Sequence, residues 1–272
     1  MDLRNFPETK NLDQNELLSQ WWYQPFIFAD DIVSGAGPRF SMKGFDPTII
    51  KRDQYPKQFD RFWKLSNRSA RMYQDWATAL CDTASLDLKR SSVFEFGCNT
   101  GYFLFWLKQQ GAMSCTGIDK ADLARQQSIL AQITGIDDID FRMDGWSSEA
   151  HLIQGLKPDE RFDVVICTAV AQHISDPLHL IKALSDRTER ALLFHTSVGR
   201  FNWGRAIRYT PAEHHEKWGD EFPNNMDTRV SRELLMWSLK ECGFKSITQL
   251  KHSRDWLPRS WYNQFSTLVC LK

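Results

Sequence analysis

No apolar run in this chain approaches the ~20 residues that a bilayer-crossing helix needs. The opening MDLRNFPETKNLDQNELL also lacks the charged start and apolar stretch of a secretory leader, so a soluble, cytoplasmic protein is expected. An excess of either charge is missing too: 34 Lys and Arg stand against 34 Asp and Glu. That balance excludes the global positive field that drives strong, salt-dependent nucleic-acid binding and leaves only local basic patches. The six cysteines, at 81, 98, 115, 167, 242 and 270, form no Cys-x-x-Cys pair. Neither a zinc cluster nor a thioredoxin-type motif is therefore written, and they read as reduced, mostly buried thiols. Internal repeats and low-complexity tracts are absent, and so is G-x-G-x-x-G, the spacing that seats a pyrophosphate at a helix end.

What is present is a chain of 272 residues, 42% hydrophobic, long enough for one main domain with a small appendage. Aromatics are plentiful at 13%, with eleven Trp. Trp21, Trp22, Trp203, Trp218, Trp256 and Trp261 lie outside the segments that read as regular core, where they either line an acceptor pocket or pack a lid. Residues 1–56 mix aromatics with Gly and Pro, show no sustained period, and read as an irregular N-terminal arm or lid. The domain proper is expected over 57–272. From Gln58 to about Leu86 the residues Phe59, Phe62, Trp63, Leu65, Met72, Trp76 and Leu80 recur at helical spacing.

Alternation follows. Strands are expected at Ser92–Phe96, Ser114–Ile118, Ile139–Met143, Phe162–Cys167 and Ala191–His195. Helices are expected at Gly101–Gln110, Ala121–Thr134, a polar one near Ser148–Leu156, and Leu178–Thr188. An irregular insertion spans 198–227, a helix runs from Thr228 to Cys242, and two last strands near Lys245–Lys251 and Phe265–Leu271 form an antiparallel pair. Apolar strands alternating with helices predict a doubly wound α/β fold whose seven-stranded sheet is mostly parallel and covered on both faces.

Open parallel sheets bind ligands beyond the carboxyl ends of their strands. There the first strand reads Val93-Phe94-Glu95-Phe96-Gly97-Cys98-Asn99-Thr100-Gly101 and a helix follows at once. Gly97 permits a tight turn, Gly101 lets the helix pack closely on the strand, and the loop amides are expected to face the ligand. Glu95, two positions before the first glycine, repels a pyrophosphate but suits a ligand carrying an ammonium group. Asp119 ends the second strand close to the ~20-residue offset of a carboxylate that grips ribose hydroxyls. Asp144-Gly145-Trp146 ends the third, offering a carboxylate for an exocyclic amine, an amide for a ring nitrogen and an aromatic surface for a base.

EFGCNTG, GID and MDG in this order resemble motif I and the second- and third-strand acids of class I S-adenosylmethionine (SAM)-dependent methyltransferases, over roughly residues 70–272. The resemblance implies a Rossmann-like fold. It also implies that Glu95, Gly97, Cys98, Asn99, Thr100 and Gly101 hold the methionine end and sugar, Asp119 the ribose and Asp144 the adenine. Cys98-Asn99-Thr100 departs from the commoner Cys-Gly-Thr or Cys-Gly-Ser. Thr168, at the end of the fourth strand, joins the cofactor candidates.

Thr168 to Leu178 is similar to the V-L-x-H-I-x-D-P segment of many methyltransferases, with Ala171 and Gln172 in place of larger residues. His173 there, and His195 at the end of the fifth strand, are the catalytic candidates, each either a general base or an architectural hydrogen-bonder. Within the insertion, Trp203, Arg208, Tyr209, His214, His215 and Trp218 are candidates for acceptor contact. His214-His215-Glu216 raises a metal, but adjacent residues rarely point at one ion and spacing places no carboxylate partner, so no metal is expected.

A looser likeness joins the aromatic arm with GAGPRF, QHISDPLHL and SRELLMWSLKECGF to tRNA wobble-uridine carboxymethyltransferases. A local stripe of Lys51, Arg52, Lys57, Arg61, Lys64, Arg68 and Arg71 agrees with it, although a solvated helix face explains the same residues. The expected function is SAM-dependent methyl transfer to an oxygen or nitrogen of a small molecule, sugar or glycan precursor. The alternatives are an RNA methyltransferase or a non-catalytic SAM-binding protein.

Overall fold

The computed structural model describes residues 1–35, 48–147, 150–199, 204–211, 226–250 and 265–272. The N-terminal arm is built, not irregular. A short 3-10 turn, Pro7–Asn11, leads to α1 (Gln14–Ser19), whose first amides are taken by the Asp13 carboxylate. Three short strands, β1 (Ile27–Ala29), β2 (Ile32–Ser34) and β3 (Ile49–Lys51), form an antiparallel sheet. Strands of three residues are too short to show a period, which is why the sequence hides them. Leu3, Leu17, Trp22, Phe26 and Phe28 of the arm are buried in one cluster with Trp76, Tyr102 and Phe103. The arm thus completes the main core.

The helical spacing after Gln58 yields one continuous helix, α2 (Pro56–Thr83), begun by a proline whose missing N–H costs nothing in the first turn. Phe59, Phe62, Met72, Trp76 and Leu80 line its buried face.

The alternating region follows as β4 (Ser92–Phe96), α3 (Tyr102–Gln109), β5 (Ser114–Asp119), α4 (Ala124–Thr134) and β6 (Ile139–Met143). The polar helix expected near Ser148–Leu156 is instead a hairpin of β7 (Trp146–Ser147) and β8 (Leu152–Ile153), with residues 148–149 outside the described set. Gly155, at a φ of 78°, and His151, at 48°, break helical geometry there. Next come β9 (Phe162–Thr168), α5 (Pro177–Arg187) capped by Asp176, and β10 (Thr188–Gly199), longer than expected. The insertion contributes β11 (Ile207–Pro211) and β12 (Met226–Ser231), so Thr228 lies in a strand and the following helix, α6 (Arg232–Glu241), starts at the Ser231 cap. The chain closes with β13 (Ser246–Gln249) and β14 (Phe265–Leu271).

In the central sheet the parallel strands stand in the order β6-β5-β4-β9-β10. β14 lies antiparallel on β10 along Ala191–Ser197, with β13 antiparallel outside it. These seven strands match the expected sheet and its C-terminal pair. The overhanging end of β10 carries more: Val198 and Gly199 pair with β12, which pairs with β11, making nine strands in all. One face of the sheet packs beneath α2, α3 and the arm through Val93, Val164, Ile166 and Leu193. The other packs under α5 and α6 through Phe94, Phe96, Val165 and Phe194. Among the described residues, no helix is long and apolar enough to cross a membrane.

Candidate functional site

Parallel registration brings the carboxyl ends of the strands together: Phe96 lies level with Ile118 and Cys167, Asp119 with Met143, and Thr168 with His195. The loop after β4 turns sharply here. Gly97 has a φ of 70°, and a Cβ on it would stand 2.1 Å from the Val170 side chain; a Cβ on Gly101, at 90°, would stand 2.7 Å from Phe141. Asn99 has a φ of 52°, in the left-handed region where Asn is among the few tolerated side chains. Asn99 thus occupies a conformation that glycine also adopts.

The expectation that the loop amides face the ligand is not met. Gly97 and Cys98 donate to the Ile118 carbonyl, at 2.8 and 3.1 Å, and Gly101 to the Cys98 carbonyl at 2.9 Å. Asn99 N donates to Asp119 Oδ2 at 2.8 Å, and Thr100 N to Asn99 Oδ1 at 2.9 Å. What the loop edge offers a ligand is therefore acceptors. An anionic pyrophosphate finds no donor cradle in these amides, whereas a cation with hydroxyl groups finds complementary atoms.

Glu95 supplies the strongest such atoms. It is fully buried, and neither carboxylate oxygen has a hydrogen-bond partner among the described residues. Burial first, and the neighbouring Asp119 second, hold its carboxyl well above the usual glutamate range. Asp119 is half-buried, and burial raises it also, against the pull of the Ala121 and Asn99 amides that it accepts. Two amide bonds leave lone pairs on this carboxylate for hydroxyl donors. The Cys98 thiol is buried; burial and then Glu95 push it well up, so it stays a neutral thiol.

Asp144 is half-buried, and its Oδ1 accepts from Gly145 N at 2.8 Å, so the amide assigned to a ring nitrogen is already used. Trp146 is half-buried, packs on the α5–α6 side of the core, and has an indole nitrogen with no partner among the described residues. Thr168 is buried at the end of β9.

Sequence reasoning missed Gln24. Its side chain is buried, donates to the Cys98 carbonyl at 3.2 Å, and accepts from Thr100 Oγ1 at 2.8 Å and Tyr102 N at 3.0 Å. Gln127 holds the Asn99 carbonyl at 3.0 Å, and Gln126 the Trp21 carbonyl at 3.1 Å. The arm is therefore bonded to the glycine loop. No local pattern marks a lone glutamine whose partners lie more than seventy residues away.

On the acceptor side, His173 is exposed in a 3-10 turn, Ala171–His173, and its Nε2 lies 3.3 Å from Gln172 Nε2. Gln172 also donates to the Ala169 carbonyl and accepts from Thr196 Oγ1. Tyr209, exposed on β11, donates to the Ser175 carbonyl at 3.2 Å, tying the hairpin to this segment; Arg208 beside it is exposed. His195 is buried, with Nδ1 2.7 Å from Thr267 Oγ1 and its ring between Trp76 and Phe265. Trp203, His214, His215 and Trp218 lie outside the described residues, as do Trp256 and Trp261 and, beyond Gly35, the GAGPRF stretch.

Comparison with known proteins agrees with this geometry. The tRNA U34 carboxymethyltransferase of Sulfurimonas denitrificans is 24% identical over 189 residues, 64% of this chain and 57% of that protein, so the chain spans little more than half of that relative's length. The fold matches magnesium protoporphyrin IX methyltransferase from Synechocystis, solved with bound SAM, at a TM-score of 0.53 and 16% identity over 81% of this chain and 94% of that one. It also matches the 1,6-didemethyltoxoflavin N1-methyltransferase of Burkholderia thailandensis, at 0.53 and 13% over 81% and 86%. Residues 66–249, well over half of the chain, match the family described as a methyltransferase domain. With the strand order above and the acids at its carboxyl edge, the chain belongs to the class I SAM-dependent methyltransferase family.

Proposed function

We propose that this protein binds SAM across the carboxyl ends of β4, β5 and β6 and catalyses methyl transfer to an oxygen or nitrogen of a small molecule, sugar or glycan precursor. The observation that carries the donor half is the buried Glu95 carboxylate with no partner among the described residues. Such a group is costly unless a cation joins it, and the ammonium of a methionine moiety is of the right charge and size. Asp119 keeps lone pairs for ribose hydroxyls, Asp144 stands at the third strand end for the adenine amine, and Thr168 closes the edge at β9.

When bound, SAM supplies an electrophilic methyl group on a sulfonium. The protein's task is then to align a nucleophile and exclude water, and a base is needed only for a weakly acidic acceptor. Exposed His173 suits that base, oriented by Gln172. The setting of His195 between two aromatic rings, with Thr267 on Nδ1, favours a positioning role.

A balanced net charge supports a small acceptor over a polyanion, and the two solved structures share the fold while being named for small-molecule acceptors. The tRNA reading draws on the relative from Sulfurimonas denitrificans. Against it, two members of the basic stripe are already neutralised, Lys51 by Asp53 and Arg52 by Asp60.

Incubating the protein with methyl-labelled SAM and separate pools of metabolites, glycan precursors and RNA tests the choice. Label in the metabolite or glycan pools is expected. Label in RNA alone, with binding that falls steeply in salt, selects the tRNA reading. Bound SAM without transfer to any pool selects a non-catalytic role, and failure to bind SAM overturns the proposal.

A further inference from the structure

Away from the glycine loop, three side chains converge where the β7–β8 hairpin meets the start of α5. His151 Nδ1 lies 3.3 Å from Asp176 Oδ2, and His179 Nδ1 contacts the same oxygen. The two imidazole rings stack at 3.9 Å, inclined by 20°. All three potential ligand atoms lie within 4.8 Å of one another. Asp176 divides its labour: Oδ1 accepts the His179 amide at 3.3 Å as the helix cap, which leaves Oδ2 for the imidazoles.

We propose that His151, Asp176 and His179 form a binding site for a borderline divalent transition metal, zinc being the natural occupant. Two imidazole nitrogens and one carboxylate oxygen are a three-ligand set that such ions prefer, and ligand atoms on a tetrahedral zinc lie about 3.3–3.5 Å apart, given bonds of about 2.0–2.2 Å. The separation between His151 and Asp176 already has that value. One ion placed against both imidazole nitrogens and the shared carboxylate oxygen gives all three ligand atoms a common partner. Both histidines are exposed, so closing the set around the ion needs only side-chain rotation, and water completes the fourth position. His151 pays for its place with a φ of 48°, a left-handed geometry rare for a residue with a side chain.

The ion would pin the hairpin that follows Asp144 to the helix that follows His173. It stands on this chain's own residues and does not depend on the acceptor or on methyl transfer. Zinc competition against a chromogenic chelator of micromolar affinity, on the full chain, tests it. One zinc per chain is expected, with affinity weakened at least tenfold in both His179→Ala, an exposed helix position, and His151→Asn, a residue that tolerates positive φ. Asp176→Asn keeps the helix cap and is expected to lose the site as well. Thermal melting without metal shows that each variant folds. No stoichiometric zinc in the wild type, or zinc affinity unchanged by these substitutions in folded protein, overturns the proposal.

Discussion

Asn99 sits at the tightest point of the glycine loop, with its φ at 52°, its side-chain oxygen on the Thr100 amide and its own amide on Asp119. Each role bears on a different substitution. Glycine keeps the backbone freedom and gives up one hydrogen bond, so Asn99→Gly is expected to cost about 1 kcal/mol. A β-branched side chain cannot adopt this geometry without strain of roughly 1–2 kcal/mol, to which the lost bond adds, so Asn99→Val is expected to cost about 2–3 kcal/mol. Urea unfolding of the two variants checks the order; equal losses would mean that the turn relaxes freely. At this scale the sequence was informative where chemistry is local. The acids at successive strand ends and the two glycines follow from spacing alone. The direction of the loop amides does not, because it depends on the neighbouring Ile118 carbonyl and Asp119 carboxylate, which a linear pattern does not bring beside the loop.

The N-terminal arm and α3 are joined through Gln24, and the loop carrying the cofactor candidates lies between them. Truncation in Gln24→Ala strands the Tyr102 amide and the Thr100 hydroxyl in a buried setting and leaves the Cys98 carbonyl with the Gly101 amide alone, at a cost of about 1–3 kcal/mol. Because all three belong to the loop or its helix, SAM affinity is expected to weaken several-fold while kcat at saturating SAM changes less. Calorimetry beside steady-state kinetics checks this; a lower melting temperature with unaltered affinity would reduce the arm to a structural prop. Elements with long apolar periods, such as α2 and β9, were legible because burial imposes the period on the sequence. The arm's strands and the β7–β8 hairpin were not, because two or three residues are too few to show a period, and β11 and β12 were not, because their mixed polar and apolar residues carry no clear alternation.

At the carboxyl edge of its sheet, the molecule keeps Glu95, Asp119 and the Cys98 thiol, all raised, inside one charge-balanced fold. A carboxyl whose folded pKa lies above its unfolded value retains a proton that the unfolded chain has released. Between those two values the fold therefore binds more protons, and its stability falls as pH rises. Glu95 and Asp119 share this sign, so the unliganded protein is expected to lose stability from the ordinary carboxylate range upward through their folded values. An ammonium ligand reverses the preference, because it favours ionised Glu95. Binding SAM then expels a proton at pH values between the liganded and the unliganded Glu95 values, and affinity climbs by up to about tenfold per pH unit in that window. The climb ends where Glu95 is already ionised or where the ligand's own ammonium deprotonates, in the range of about 7.7–8.0 for an α-amino group. Glu95→Gln is neutral at every pH: it is expected to melt with a flatter pH profile, the remaining slope belonging largely to Asp119, and to bind SAM at least tenfold more weakly. Calorimetric titrations in buffers of different ionisation enthalpy count the released proton directly. A wild-type proton release that survives unchanged in Glu95→Gln would place the ammonium elsewhere on the carboxyl edge of the sheet.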